Sequence, residues 1–485
     1  MKKFIEKIKK SWLIKRTTTI IFMAVLVALF IALTLFVNNL NLDPIDFTKE
    51  KLYTLTDTSK EQVKTVNQDV NIYFVGYTDT DSIVDLAKQY HNANEKINVE
   101  VVDSNSRPDL VEKYGIESGS NGVIVESGSK SKILSSQDFY TYNTATYEQI
   151  DITEEKLTNS ILYVVAEKVP TVYFLEGFSD FSVNQNLTYL TMYLANEVTE
   201  YKTVNIVTTG SVPEDCDTLI INTPNADFDD ITTNAIINYI NNGGNILWFN
   251  MLSTQKQELP NVNKILAMYG VNPFEPGVIN ETDSAKRMST ASSIIIPDVS
   301  YSTITKNISN PLFVNATKIN FVSDDELTNM NVTKTVLLQA SETSFFRTNF
   351  SISSNSKQEG EEEGPFVVGA EMQKQITAAN EETGEKEKVS KLVIYGENAF
   401  ISDYTLTSSS STPIIFYPDN KNIAMDSIAY LVDREVDIVI RKDTNTVSYT
   451  ATVEQDNIVQ AVIFGVPVLI IFAGILVWQH RRRKK

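Results

Sequence analysis

Two uncharged apolar runs stand near the ends of the chain. Residues 20–37 read IIFMAVLVALFIALTLFV, and residues 458–478 form a second run with Gln460 near its start and Pro467 inside it. At 1.5 Å per residue each approaches the ~30 Å of a bilayer core, so the pattern predicts transmembrane helices at 17–38 and 458–478. A cleaved signal peptide would need a shorter apolar core and a small-residue cleavage site, which Asn38-Asn39-Leu40-Asn41-Leu42 does not offer. A buried core helix is the other alternative for each run. Basic residues flank both runs on their outer sides, at 1–16 and 479–485. The positive-inside rule then expects a two-pass protein of the plasma membrane, with both termini cytoplasmic and the main body extracellular. Trp12, Arg16, Trp478 and Arg481 are the expected interface residues.

Between the runs, hydrophobic spacing divides the body into three parts. Residues 48–147 alternate strand and helix patterns: strand 70–77, helix 82–92, strand 97–102, short helix 108–114, and a hairpin across Ser127-Gly128-Ser129. That order is thioredoxin-like, and with no Cys-x-x-Cys only the scaffold reading survives. Residues 148–169 hold a connecting helix from about 153 to 168, with Thr153 placed to cap it. Residues 170–297 again alternate, and the clearest helix spans 229–242, acidic at its start and stopped by Gly243-Gly244. Strands at 171–175, 203–207, 218–222 and 245–250 predict a Rossmann-like, mainly parallel sheet. Residues 298–456 are expected to be a β-rich membrane-proximal region. Strands fall near 335–339, 366–370 and 392–395, a helix at 422–431, and a final hairpin at 436–440 and 447–453. The charge-rich tracts 358–364 and 380–388 read as solvated mobile loops. The predicted class is therefore α/β, with two transmembrane helices flanking an extracytoplasmic region of these three parts.

Composition narrows the partners. The 485 residues carry a formal net charge of −19, with 42% apolar and 21% charged residues, enough to fold. Without the 12 basic and one acidic residues of the two ends, the remainder holds 30 basic against 60 acidic. Such a body repels phosphates, so nucleic acid is excluded as a partner. One cysteine, Cys216, rules out an intramolecular disulfide and a multi-cysteine metal site, and two histidines, His91 and His480, leave little for histidine catalysis or zinc.

Chemistry is sparse. No Gly-x-x-x-x-Gly-Lys-[Ser/Thr] occurs, so nucleotide energy must come from another subunit, and no Gly-x-Gly-x-x-Gly follows a strand. His91 reads as a solvated helix residue. The best candidate is Glu176-Gly177-Phe178-Ser179-Asp180, directly after the strand at 171–175, where parallel sheets bind ligands. Glu176 and Asp180 could hold a cation or a sugar hydroxyl, with Gly177 and Ser179 shaping the loop; the plainer alternative is an acidic turn made by Gly177. No catalytic residue, cofactor or metal is predicted.

Several stretches together resemble the GldG-type, gliding-motility-associated auxiliary proteins of ABC transporters. They are Lys51-Leu-Tyr-Thr-Leu-Thr56, Glu155-Lys-Leu-Thr-Asn-Ser-Ile-Leu162, Asp217-Thr-Leu-Ile-Ile-Asn-Thr-Pro224, Asn242-Gly-Gly-Asn-Ile-Leu247, Gly396-Glu-Asn-Ala-Phe400, and Val466-Pro-Val-Leu469 through Trp478 to Arg481-Arg-Arg483. The resemblance implies a non-enzymatic auxiliary subunit that recruits substrate or partner beside a separate ABC permease and cytoplasmic ATPase, in contact with the lipid bilayer and in a homo- or hetero-oligomer. It also implies a glutamine-amidotransferase-like second unit. Where the family often shows Gly-His-Gly-Glu, this chain reads Gly177-Phe178-Ser179-Asp180. A membrane-anchored amidotransferase-like or hydrolase enzyme using Glu176 and Asp180, and an envelope glycan-binding protein, stay open as alternatives.

Overall fold

In the computed structural model the described residues are 23–25, 27–32 and 54–433, apart from 105, 117–119, 143–148, 289–290, 380–386, 408–409, 411 and 418. The chain forms two compact units, 1–440 and 441–485, and the second lies wholly outside the described residues.

The expectation of two transmembrane helices is corrected. Among the described residues no helix is long and apolar enough to cross a membrane. Residues 23–25 and 27–32 are the described part of the first run, and they are helical. The run 458–478, the hairpin at 436–453, and Trp12, Arg16, Trp478 and Arg481 lie outside the described residues. The two-pass plasma-membrane placement built on those helices falls with them.

The first sheet begins with helix α1 (Asp57–Lys64), whose Thr56 hydroxyl caps Ser59 N at 3.2 Å. Strand β1 (Val70–Val75) pairs in parallel with β2 (Ile97–Val102), which follows helix α2 (Ser82–Ala93). After the short helix α3 (Pro108–Tyr114), strands β3 (Gly122–Ser127) and β4 (Lys130–Ser135) add antiparallel on the other side of β1, in order β2-β1-β3-β4. A small ribbon, β5 (Tyr140–Tyr142) and β6 (Gln149–Asp151), leads into helix α4 (Thr153–Val165). Thr153 is the first residue of α4, not its cap. The cap position is Ile152, whose side chain makes no cap bond, and Asp151 Oδ1 just before it accepts from Thr153 N at 2.8 Å. Leu157, Ile161 and Val164 of α4 pack with Ile72, Phe74, Ala87 and Tyr90 in one apolar cluster. Its Glu154 accepts from Thr56 N at 2.7 Å, tying α4 to the start of α1.

The second sheet is larger. Strand β7 (Thr171–Leu175) leads through helices α5 (Val183–Asn186) and α6 (Thr188–Asn196) to β8 (Glu200–Val204). After α7 (Ile206–Thr209) come β9 (Thr218–Asn222), α8 (Asp230–Asn241), β10 (Asn245–Phe249) and α9 (Pro260–Ala267). Strands β11 (Val278–Glu281), β12 (Ile294–Ile295), β13 (Asp298–Val299) and β14 (Phe313–Val314) follow, then α10 (Asp324–Asn329), β15 (Val332–Ala340), β16 (Ser344–Arg347) and β17 (Glu362–Glu363). The last long strands are β18 (Phe366–Thr377) and β19 (Lys388–Tyr395), before helix α11 (Asn420–Leu431).

Eight of these strands form one sheet in the order β13-β15-β18-β19-β10-β9-β7-β8. From β8 to β19 the neighbours are parallel, and from β19 to β13 they are antiparallel. Strands on either side of residue 297 thus share a sheet, through the pairing of Ile246 with Leu392 and of Phe249 with Tyr395. Every residue of β9 and β10 is buried, as parallel strands covered on both faces require. One face packs Val172, Phe174, Ile220, Leu247 and Phe249 against α5, α6 and α11, while the other packs Leu219, Ile221, Ile246 and Trp248 against α8 and α9. Each large side chain so buried contributes about 1.5–3 kcal/mol.

Candidate functional site

In the parallel part, β8-β7-β9-β10-β19, chain order reverses between β7 and β9: the path from β7 runs outward to the edge strand β8, then crosses back to β9. Open α/β sheets take ligands at such a reversal, beyond the carboxyl ends of the strands. The loop 176–180 that the sequence singled out leaves β7 at this point.

Its residues tie the loop to the end of β8 and to the segment after β9. Glu176 N donates to Val204 O at 2.9 Å, continuing the pairing with β8, and its side chain is exposed. Gly177 has φ +99°, a conformation that favours glycine, and a Cβ there would come to 3.4 Å from Asn205 Nδ2. Phe178 packs edge-on to Phe228 at 5.0 Å, and its carbonyl accepts from Asn225 N at 2.9 Å. Ser179 Oγ accepts from Phe181 N at 3.1 Å, and Asp180 accepts from the Asn225 amide. The structure therefore brings Glu176, Gly177, Ser179 and Asp180 beside Asn205 and Asn225.

Beneath this edge lies a buried amide network that the sequence reading missed. Asn398 Nδ2, in the turn after β19, donates to Thr223 Oγ1 at 2.7 Å and to Asn222 Oδ1 at 3.2 Å, reaching over the end of β10. Thr223 Oγ1 donates to Asn222 Oδ1 at 2.9 Å and adopts φ +48°. The Asn222 Nδ2 is buried with no partner among the described residues. Beside Asn398, Glu397 is fully buried and accepts from Val314 N at 3.1 Å and Phe400 N at 3.0 Å. Burial pushes its carboxyl up to about 8, and the amide donors hold it back only in part. Both stretches stood among the family-like motifs; only the strand order, which local pattern does not carry, puts them together.

The other reactive groups lie elsewhere. His91 Nδ1 donates to Ile97 O at 2.8 Å, joining the end of α2 to β2 in the first sheet. Cys216 precedes β9 at the opposite end of the large sheet, and burial pushes its thiol up to about 12. Among the described residues no group of three or more His, Cys, Asp or Glu could hold a metal ion. At the switch point the geometry offers hydrogen-bond recognition: carboxylates at the rim and amides beneath.

The tract 358–364 differs from the solvated loop its charge predicts. Glu361 binds the buried Arg347 through Nε at 2.6 Å and Nη2 at 3.2 Å, Glu362 binds the buried Lys318 at 2.5 Å, and Glu362 and Glu363 form β17 against β16. Its charges clamp a short sheet, β11-β16-β17.

Comparison with known proteins adds the family. Residues 49–146 match a family described as a domain of unknown function. No curated protein matches the chain. Among solved structures, the N-terminal domain of mmIFT52 aligns at 13% identity and a TM-score of 0.37, over 54% of this chain and 97% of that one. A protein described as ThuA-like, from Bacteroides uniformis, aligns at 11% identity and a TM-score of 0.31, over 55% and 94%. Neither likeness carries a functional argument. Residues 169–425, more than half of the chain, match the auxiliary family described as "ABC-type uncharacterized transport system", and the protein belongs to that family.

Proposed function

We propose that the chain is a non-enzymatic auxiliary subunit of an ABC-type transport system, of the GldG type, which recruits substrate or partner for a separate permease and ATPase. The observation that carries this reading is the family match over residues 169–425, which takes in the parallel sheet and its switch-point edge. The geometry supports it. Ser179 accepts from Phe181 N within the loop, Asp180 accepts from Asn225 in the segment after β9, and the one described histidine and the cysteine are bound into other parts of the fold. Loop 176–180 then serves as a polar contact for a ligand.

Affinity isolation of the tagged chain from its native cells tests the proposal. A permease and an ATPase of the ABC class should accompany it. Isolation without either overturns the reading. So does turnover of an ester, amide or glycoside by the purified chain that is lost in E176A/D180A, which would assign the loop to the hydrolase alternative.

A further inference from the structure

We propose that the cleft between α8 and the loop 210–217 binds an extended peptide through its main chain. The cleft has a volume of about 730 Å³ and lies at the amino ends of β9 and β10, the opposite end of the sheet from Glu176. Its size is that of a ligand site. The proposal goes beyond the transport reading and stands on different residues.

One wall is a row of carboxamides. Asn234 and Asn238 of α8, and Asn242 just past its end, line the cleft, are exposed, and make no side-chain hydrogen bond among the described residues. Their spacing is i, i+4, i+8, which places them about 6 Å apart along the helix. An extended chain repeats every two residues at about 6.6 Å. Successive asparagines therefore meet successive peptide groups on one side of a strand laid along the row, and each carboxamide carries both the donor and the acceptor that a peptide group needs.

The cleft already contains this recognition in use. Asn245, on its floor, donates from Nδ2 to Leu431 O at 2.7 Å and accepts from Lys391 N on Oδ1 at 3.0 Å. It thereby reads the main chain of two other segments with one side chain. The rim supplies a preference for the ligand's own side chains. Ile231, 52% exposed, and Val212 offer apolar contact, and Glu214 adds a carboxylate. A strand that alternates apolar and basic residues fits this rim.

The full chain is titrated with fluorescein-labelled acetyl-Lys-Val-Lys-Val-Lys-Val-amide and followed by fluorescence anisotropy. Saturable binding is expected, weakened at least tenfold in N234A/N238A/N242A, whose melting temperature should match wild type because all three side chains are exposed. The same peptide N-methylated at alternate amides keeps its charge and should not bind. Equal binding by the triple variant or by the methylated peptide, absence of saturation, or asparagine-dependent binding of a chito-oligosaccharide in place of the peptide overturns the proposal.

Discussion

Arg347 and Glu361 meet as a forked ion pair with side chains only 5% and 10% exposed. Nε and Nη2 of the guanidinium take both carboxylate oxygens, and the remaining donors reach the carbonyls of Ser354 and Ser356. One arginine thus fastens the return from β16 to β17 at four points.

Removing one partner strands a buried charge. R347M should lower stability by about 3–5 kcal/mol, read from urea unfolding midpoints, whereas R347M/E361L should recover part of that loss. A single variant within about 0.5 kcal/mol of wild type would show that water reaches the pair freely.

Glu397 links stability to pH. The unfolded carboxyl titrates near 4.5 and the folded one at about 8, because burial disfavours its charge. Between those values the folded protein holds a proton that the unfolded chain has released. This group's contribution is therefore full below 4.5 and is lost as pH rises through 8. E397Q should flatten the fall of melting temperature between pH 5 and 9 relative to wild type; parallel curves would refute the assignment.

Cys216 should be silent. Burial holds its thiol at about 12, so iodoacetamide at pH 8 should label the folded protein negligibly and the urea-unfolded protein fully, as mass spectrometry can count. Rapid labelling of the folded form would mean the strand start opens to solvent.

Asp229 caps α8 through a 2.7 Å bond from Thr232 N. D229A should cost about 1 kcal/mol in chemical denaturation. Because α8 carries the asparagine row, the same variant also tests whether that row depends on a firm helix start.

Much of the fold was legible where local chemistry decides it. Helix α8 follows from apolar positions every three to four residues between an acidic start and Gly243-Gly244, and β9 and β10 follow from unbroken apolar runs. Thr153 was expected to cap α4, but the helix starts at Thr153 itself, with Ile152 at the cap position and Asp151 holding Thr153 N, a choice between nearby polar residues that only geometry makes. Charge alone could not reveal that Glu361 faces a buried arginine 14 residues upstream. The apolar run at 20–37 had the composition of a span, yet among the described residues no helix is long and apolar enough to cross a membrane. The site divides in the same way. Loop 176–180 was legible from a strand followed by a turn. The amides of Asn222 and Asn398 were not, because they become neighbours only through a sheet that joins residues 176 apart.

The parallel centre of that sheet has a price in time. Asn245 of β10 takes its hydrogen bond from Lys391 of β19, 146 residues further along. A ribosome that has finished β10 must therefore make nearly a third of the protein before that strand's second flank can be covered. Until then the nascent chain shows a strand with one unpaired flank and the large apolar run Ile246 to Phe249, the kind of surface that chaperones shield and that aggregates capture. Chains cut at residue 297 should collect in inclusion bodies even though every helix and strand up to that point is complete.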